Sequence, residues 1–319
     1  MKAIGVASSR IDRLVTVKRA WRYLQALARA LIVGTFIDDC MRIGTDYTGQ
    51  ADSMRTVGFG DPAAAILPAL FCLVQATGVA LVLPGRAALT QAGCIVLIGW
   101  TAAHPFLYQQ QRNTEFVVEE ISIIGGLLVL LSSARATMRG ATTTPQEEER
   151  QTETDRLQLA GRCCLSALFL YYGQKMARER FTALSGGFAN EAPLVAMAEA
   201  VLLALLLPLT ALLVVGMRSR VCALVLASVT IVAALYSHPW YVVLWSDRNY
   251  TLDEVIGYEG TVVPAWVYAT HQRYFFFQQW STAGALLQLV VHGPGRLSMD
   301  EAVHGETGAL QDLEAKAID

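Results

Sequence analysis

Residues 221–246 read VCALVLASVTIVAALYSHPWYVVLWS and contain no aspartate, glutamate, lysine or arginine. A helix needs roughly 20 mostly apolar residues to cross the hydrocarbon core of a bilayer, so this run is long enough to span a membrane. Four other runs also lack these charges, namely Pro62 to Gly85, Ala87 to Gln111, Ala200 to Met217 and Tyr274 to His292. Because a helix of a soluble domain needs a polar face, the five runs together predict a polytopic α-helical membrane protein.

Three further predicted spans are weaker, because each carries charged side chains. They lie near Tyr23 to Ile43, at Phe116 to Ala134 and at Leu157 to Gln174. Over all 319 residues the chain is 54% hydrophobic and 16% charged, whereas an ordinary soluble domain carries about 25% charged residues. The prediction is an all-α integral membrane protein with about eight transmembrane helices. The number falls to seven or six if the polar helices lie in the membrane interface.

Lysine and arginine are distributed unevenly between the two sides that eight spans define. The side that holds both termini is richer, with a basic N-terminal segment and with Arg86, Arg218 and Arg220, while the other side includes Arg55 and Arg112. Because cytosolic loops carry the excess of positive charge, both termini are predicted to be cytosolic. The N-terminal stretch lacks the small-residue cleavage site of a signal peptide, so the first span is expected to target the chain.

The sequence contains no pattern typical of an enzyme or of a cofactor protein. All six cysteines lie in apolar spans without CxxC spacing, which favours their interpretation as small buried apolar residues. The motifs HExxH and GxSxG and a glycine-rich phosphate loop are absent. The His-Pro pairs at 104–105 and 238–239 are interpreted as helix ends rather than as metal sites. We therefore expect no catalytic site, no metal, no cofactor and no nucleic-acid partner.

Similar features recur in the same order in the two halves of the chain, which indicates an internal duplication. The interval from Arg86 to His104 recurs from Arg220 to His238, and a proline follows each histidine. Two more matches are those of residues 24–36 with 157–169 and of residues 125–130 with 284–289. The last match requires an insertion between the seventh and eighth spans.

The duplication predicts two halves with four helices each. Because each half has an even number of spans, the halves would be parallel repeats related by an axis along the membrane normal. The predicted organisation is a cytosolic N-terminal segment at 1–22, a first membrane half at 23–134, a cytosolic linker at 135–156, a second membrane half at 157–292 and a cytosolic tail at 293–319. The linker is polar, and we expect it to be mobile.

Charged residues lie within the predicted spans, near the ends opposite to the termini. Asp38 and Arg42 are four residues apart and share a helix face, and Asp39 lies beside them. Charged groups at membrane depth are costly and usually face a cavity or a partner. We predict an acidic vestibule that opens to the lumen and is formed by Asp38, Asp39, Arg42, His104, Glu119 and Glu120. The alternative is that Asp38 only pairs with Arg42, while both glutamates lie among lipid headgroups.

The insertion before the eighth span contains a candidate glycosylation site. Asn249-Tyr250-Thr251 matches the acceptor pattern for N-linked glycans. The distribution of basic residues places this loop on the side opposite to the termini. Asn249 is therefore a modest indication that this side is lumenal.

Several motifs in order resemble one family of membrane proteins. The run TFIDDCMR at 35–42 is similar to a first-span signature, and GPGRLSMDE at 293–301, directly after the last span, is the most specific match. Shorter matches lie at residues 124–128, 133–135, 161–162 and 215–218. From about Leu24 to Glu301 the chain thus resembles the surfeit locus protein four family, whose yeast members are the Erv-type cargo receptors.

The resemblance implies a receptor that loads soluble secretory proteins into vesicles leaving the endoplasmic reticulum and cycles between that compartment and the Golgi. The implied partners are soluble cargo in the lumen, COPII vesicle coat proteins in the cytosol and the lipid bilayer. Whether the protein forms a homo-oligomer is left open. The vestibule would then bind cargo, for example by holding the α-ammonium of an exposed N-terminus on its carboxylates. Small-molecule transport is the alternative, since parallel repeats with buried acids also occur in transporters.

The C-terminus departs from the pattern of the resembled family. Members commonly end in a lysine-rich retrieval signal, whereas Lys316 is followed here by Ala317-Ile318-Asp319. Retrieval through a dilysine tail is therefore in doubt.

Overall fold

The computed structural model describes residues 18–138, 145–185, 193–252 and 260–303. Within these ranges the chain forms eleven α-helices and one two-stranded antiparallel sheet. This composition confirms the prediction of a predominantly helical protein. Most of the predicted N-terminal segment and the end of the predicted tail lie outside the described residues, as do residues 139–144 of the predicted linker.

Six helices form the first part of the chain, and several of their ends have recognisable caps. The carboxylate of Asp46 caps one helix by accepting from the Gly49 N–H at 3.1 Å, and Gly58 ends that helix with φ +110°. Asn113 caps the sixth helix by accepting from the Phe116 N–H at 3.3 Å. The six are α1 (Lys18–Ile32), α2 (Gly34–Thr45), α3 (Tyr47–Val57), α4 (Asp61–Val82), α5 (Ala87–Leu107) and α6 (Thr114–Thr137).

Five helices and a β-hairpin form the second part. The hairpin pairs Asn249 with Pro264 and Leu252 with Thr261, and it lies where an insertion is predicted. The elements are α7 (Pro145–Ser185), α8 (Pro193–Val215), α9 (Ser219–Ser237), α10 (Trp240–Val243), β1 (Asn249–Leu252), β2 (Thr261–Pro264) and α11 (Ala265–His292).

Four helical segments of the described residues are long and apolar enough to cross a membrane. They are Asp61–Val82, Ala87–Leu107, Thr114–Thr137 and Ser219–Val243, and Ala200–Val215 is a shorter apolar segment. The other predicted spans fall in α1 with α2, in α7 and in α11. These helices contain buried polar side chains, such as Arg162 in α7 and Gln288 in α11, which lower their hydropathy.

Small residues allow the helices to approach closely where α6 meets α7 and where α11 meets α1. A Cβ added to Gly125 of α6 would lie 2.8 Å from the Gly161 carbonyl oxygen and the Leu165 nitrogen of α7. Glycine is therefore required at this crossing, because it brings the two backbones into contact. These crossings hold the long helices in the centre of the bundle.

Three features differ from the sequence-based prediction. The amphipathic helix α3 was not predicted, because its polar sequence resembles a loop. Helix α7 begins at Pro145, so most of the predicted mobile linker is helical. Helix α5 extends to Leu107, so Pro105 lies in its last turn rather than ending it.

The segment that follows α11 contacts the bundle. Arg162 Nη2 of α7 donates to the Leu297 carbonyl at 2.5 Å, and the Asp300 carboxylate accepts from the Arg218 and Ser219 N–H groups at 2.6 and 2.9 Å. Asp300 thereby caps the start of α9, where Arg218 has φ +51° and offers no side-chain cap. This part of the predicted tail is therefore docked on the bundle.

Candidate functional site

Asp39 lies in a buried polar cluster between α2 and α4. Its Oδ1 pairs with Arg42 Nη2 at 2.5 Å, and its Oδ2 accepts from Gln75 Nε2 at 3.0 Å. The Arg42 guanidinium also lies over the Tyr274 ring, 5.2 Å from its centroid. Arg42 thus pairs with Asp39 and not with Asp38, although Asp38 and Arg42 share a helix face.

His104 and Glu120 form the second part of this cluster. His104 Nδ1 of α5 lies 2.9 Å from Glu120 Oε1 of α6, and both side chains are almost completely buried. The imidazole is stacked on Trp100 with ring centroids 5.4 Å apart, and Phe116 approaches it to 5.2 Å. Aromatic rings therefore fix the orientation of the histidine on the carboxylate.

The two parts face one pocket among α2, α4, α5, α6 and α11. Its lining combines two acids, a histidine and an amide with apolar and aromatic walls. The lining residues are Thr35, Phe36, Asp39, Gln75, Trp100, His104, Glu120, Ile123 and Tyr274. The pocket offers carboxylate oxygens for a cationic or hydrogen-bonding group and a hydrophobic surface for its neighbours.

Asp38 lies outside this pocket and pairs with α11. Its Oδ1 is 2.6 Å from Arg273 Nε, and only 2% of Asp38 is exposed to solvent. The ion pair connects α2 to the first half of α11. Asp38 is therefore positioned to hold two helices together.

Glu119 belongs to a third group of contacts, between α6 and α7. The Tyr172 hydroxyl lies 2.6 Å from Glu119 Oε1 and 3.1 Å from Glu115 Oε1, and Lys175 Nζ lies 2.9 Å from Glu115 Oε2. Since α6 is helical here, neighbouring Glu119 and Glu120 point in different directions. The predicted vestibule is thus divided into three groups with separate partners.

Comparison with known proteins identifies the relatives of this bundle. A sequence model described as the SURF4 family matches residues 3–259. The chain belongs to the SURF4 family. This family consists of cargo receptors and not of enzymes, which confirms the expectation that the protein has no catalytic activity.

Two relatives show how much of this SURF4 family protein is shared. The chain is 25% identical over 289 residues to a protein of Drosophila melanogaster named surfeit locus protein 4 homolog, covering 89% of this chain and 92% of the relative. It is 26% identical over 284 residues to a Schizosaccharomyces pombe protein of the same name, covering 88% and 81%. No solved structure matches. The motif at 293–301 lies beyond the residues that the family model matches.

The fold brings together four of the six predicted site residues of this SURF4 family protein. Asp39, Arg42, His104 and Glu120 form one cluster, whereas Asp38 and Glu119 are bound to partners elsewhere. The fold also places the sequon residue Asn249 on an exposed position of β1.

Several partners of these residues could not be identified from the sequence. Gln75 is one amide within an uncharged span, and only its polarity could have marked it as a partner of an acid. Tyr172 and Tyr274 resemble interface aromatics, and Arg273 lies just before the last uncharged run. Each comes from a helix distant in sequence from the charged residue it contacts. Among the described residues no group of His, Cys, Asp and Glu could hold a metal ion, and the six cysteines are unpaired.

Proposed function

We propose that this SURF4 family protein is a receptor that packages soluble secretory proteins into vesicles travelling from the endoplasmic reticulum to the Golgi. Family membership is the observation that carries the proposal, because the family match covers most of the chain. The protein would cycle between the two membranes with both termini in the cytosol. Its partners would be soluble cargo in the lumen and coat proteins on the cytosolic side.

Cargo would bind at the pocket of Asp39, His104 and Glu120. An α-ammonium of a cargo N-terminus would compete with Arg42 for Asp39, and charge-assisted hydrogen bonds of this kind are roughly twice as strong as neutral ones. Phe36 and Trp100 would contact the adjoining apolar side chains. This assignment retains the predicted carboxylate recognition but limits it to the acids that face the pocket.

Helix α3 would support the position of His104 through the residues that follow it. Gln109 Nε2, just after α5, donates to the Val57 carbonyl of α3 at 2.8 Å, and the Tyr108 hydroxyl donates to Gln50 Oε1 at 3.4 Å. Tyr108 also contacts the His104 ring edge to face, with centroids 4.8 Å apart. Displacement of α3 would therefore loosen an aromatic contact of His104.

Export from cells that lack the native receptor tests this assignment. Asp39→Asn and Glu120→Gln should leave the receptor present but abolish cargo secretion, because losing the carboxylate partner of a bound ammonium costs about 2–5 kcal/mol of binding free energy. Asp52→Asn is the matched control, since its carboxylate is exposed. Secretion and receptor abundance are measured together. Normal secretion, or loss of secretion only through receptor degradation, would contradict the site.

The buried polar pocket also supports a second candidate function, the transport of a small solute. Such sites lie between helices near the middle of transporters. Purified protein in liposomes should then take up a small cation or an amino acid, and Asp39→Asn should abolish the uptake. Uptake together with normal cargo secretion in deleted cells would favour transport over the receptor function.

We also propose that the bundle contains eight spans arranged as two parallel repeats. The close approach of Gly125 to Gly161 and Leu165 has a counterpart, since a Cβ added to Gly284 of α11 would lie 2.8 Å from the Ala28 carbonyl oxygen and the Ile32 nitrogen of α1. In both pairs the two contacted residues are four positions apart, Gly161 and Leu165 in α7 and Ala28 and Ile32 in α1. This supports a duplication in which the first helix of each half packs against the last helix of the other.

A further inference from the structure

A separate polar site lies at the end of the bundle opposite to the proposed cargo pocket. Arg29 of α1 lies against Gly85, the turn residue after α4 with φ +69°, where an added Cβ would be 2.6 Å from Arg29 Nη2. Arg29 Nε is buried and has no hydrogen-bond partner. Among the described residues no acid pairs with this guanidinium. Arg29 is half-buried, and partial burial of a charge without a partner is costly, so the position favours an anion.

A second arginine and a histidine lie at the same place. Arg220 of α9 lies 3.5 Å from the position of a Cβ at Gly293, directly after α11. The guanidinium groups of Arg29 and Arg220 are both close enough to His292 to interact with its ring electrostatically. Trp21 contacts the same ring edge to face, with centroids 6.5 Å apart. Tryptophan is typical of membrane interfaces, so the site is placed at headgroup level.

The other half of the chain shows what occupies a comparable position. Arg162 of α7 lies against Gly216, whose φ is +80°, just as Arg29 lies against Gly85. Arg162 donates to the Leu297 carbonyl at 2.5 Å, and the Asp300 carboxylate is close enough to stabilise its charge. The segment after α11 thus supplies an acceptor and an anion to Arg162. The described residues supply no such anion to Arg29.

We propose that Arg29, Arg220 and His292 form a binding site for a phosphate group, contributed by the headgroup of an anionic phospholipid. A guanidinium presents a rigid fork of donors that matches phosphate oxygens. Basic pockets between transmembrane helices on the cytosolic side are suited to anionic headgroups, and this end is the predicted cytosolic side. The site shares no residue with the proposed cargo pocket and does not depend on it.

Binding of a short-chain lipid to the purified full-length protein in neutral detergent tests the proposal. The probe is dioctanoyl phosphatidic acid with a fluorescent tail, followed by anisotropy, and the competitors are unlabelled phosphatidic acid, phosphatidylcholine of the same chain length and inorganic phosphate. Arg29→Gln should weaken binding about ten-fold or more, which is the expected loss for a hydrogen bond to a charged group. Arg86→Gln is the matched control, because Arg86 is exposed at the same turn. It should change binding less than about two-fold.

Each outcome decides a part of the proposal. Equal competition by phosphatidylcholine would overturn the anionic site, and equal competition by inorganic phosphate would overturn its assignment to a lipid. Equal losses in Arg29→Gln and Arg86→Gln would show that net charge alone attracts the probe. If Arg29→Gln elutes as an aggregate in size-exclusion chromatography, Arg29→Lys and Arg220→Gln replace it. Binding unchanged in Arg220→Gln would then overturn the site.

Discussion

Breaking the ion pair between Arg273 and Asp38 should destabilise the protein strongly. Arg273 Nε lies 2.6 Å from Asp38 Oδ1, and Asp38 is 2% exposed, so Arg273→Gln would leave a buried carboxylate without its cation. Removing one partner of a buried ion pair typically costs about 3–5 kcal/mol. The double variant, Asp38→Asn with Arg273→Gln, removes both charges together and should recover most of this loss.

Thermal unfolding of the purified protein in detergent measures this effect. One kcal/mol shifts the midpoint by about 2–4 °C in domains of 150–250 residues, so Arg273→Gln should lower it by roughly 6–20 °C. The unfolding midpoint of the double variant should differ from that of the parent protein by less than about half of this shift. Arg55→Gln is the control, because Arg55 pairs with Asp52 and Asp61 at the surface and such pairs contribute little.

A double variant whose loss equals the sum of the single losses would refute the reasoning, because it would show that the two side chains are not coupled. The same variants separate two roles of Asp38. If Arg273→Gln and Asp38→Asn remain as stable as the parent protein but lose cargo export, Asp38 acts in binding, as the sequence-based prediction had it. Unstable single variants and a recovered double variant would support the connection between α2 and α11.

Three other predictions test packing, topology and retrieval. Gly284→Ala should lower the free energy of unfolding by about 1–3 kcal/mol through overpacking, whereas Gly99→Ala, with no neighbour within 4 Å of the added methyl, should be neutral or stabilising. Equal thermal midpoints would contradict the crossing of α11 with α1. Asn249→Gln should abolish an endoglycosidase-sensitive mobility shift on gels. Protease added to sealed microsomes should remove a C-terminal tag, and a protected tag would contradict the cytosolic C-terminus. Lys316→Ala should leave localisation unchanged by microscopy, while escape to the plasma membrane would show that one lysine suffices.

The membrane character of the protein was readable from the sequence because it depends on local composition. A helix that crosses a bilayer must satisfy its own backbone hydrogen bonds and present apolar side chains, so each span is recorded in about 20 consecutive residues. Three of the four strongest described spans agree with uncharged runs found in this way, and the fourth, Thr114–Thr137, contains the weaker predicted span Phe116 to Ala134. Helix α3 escaped prediction because its stability depends on packing rather than on an apolar run, with Met54 fully buried against its neighbours.

The candidate site was predictable in part for a similar reason. Acids within apolar runs are conspicuous, and Asp39, His104 and Glu120 were found by their position alone. Their partners were not, because Gln75 and Arg273 come from other helices and are brought to the acids only by the crossing of those helices.

Helix direction and packing also decide which neighbouring acids act together. Asp38 and Asp39 are adjacent in sequence, but successive side chains on a helix point about 100° apart. Asp39 therefore faces the pocket and pairs with Arg42, while Asp38 meets Arg273 on another helix. Hydropathy indicates which segments of the chain can cross the membrane. The partner of each polar side chain depends instead on how whole helices rotate and pack against one another, and this information is not contained in a linear pattern.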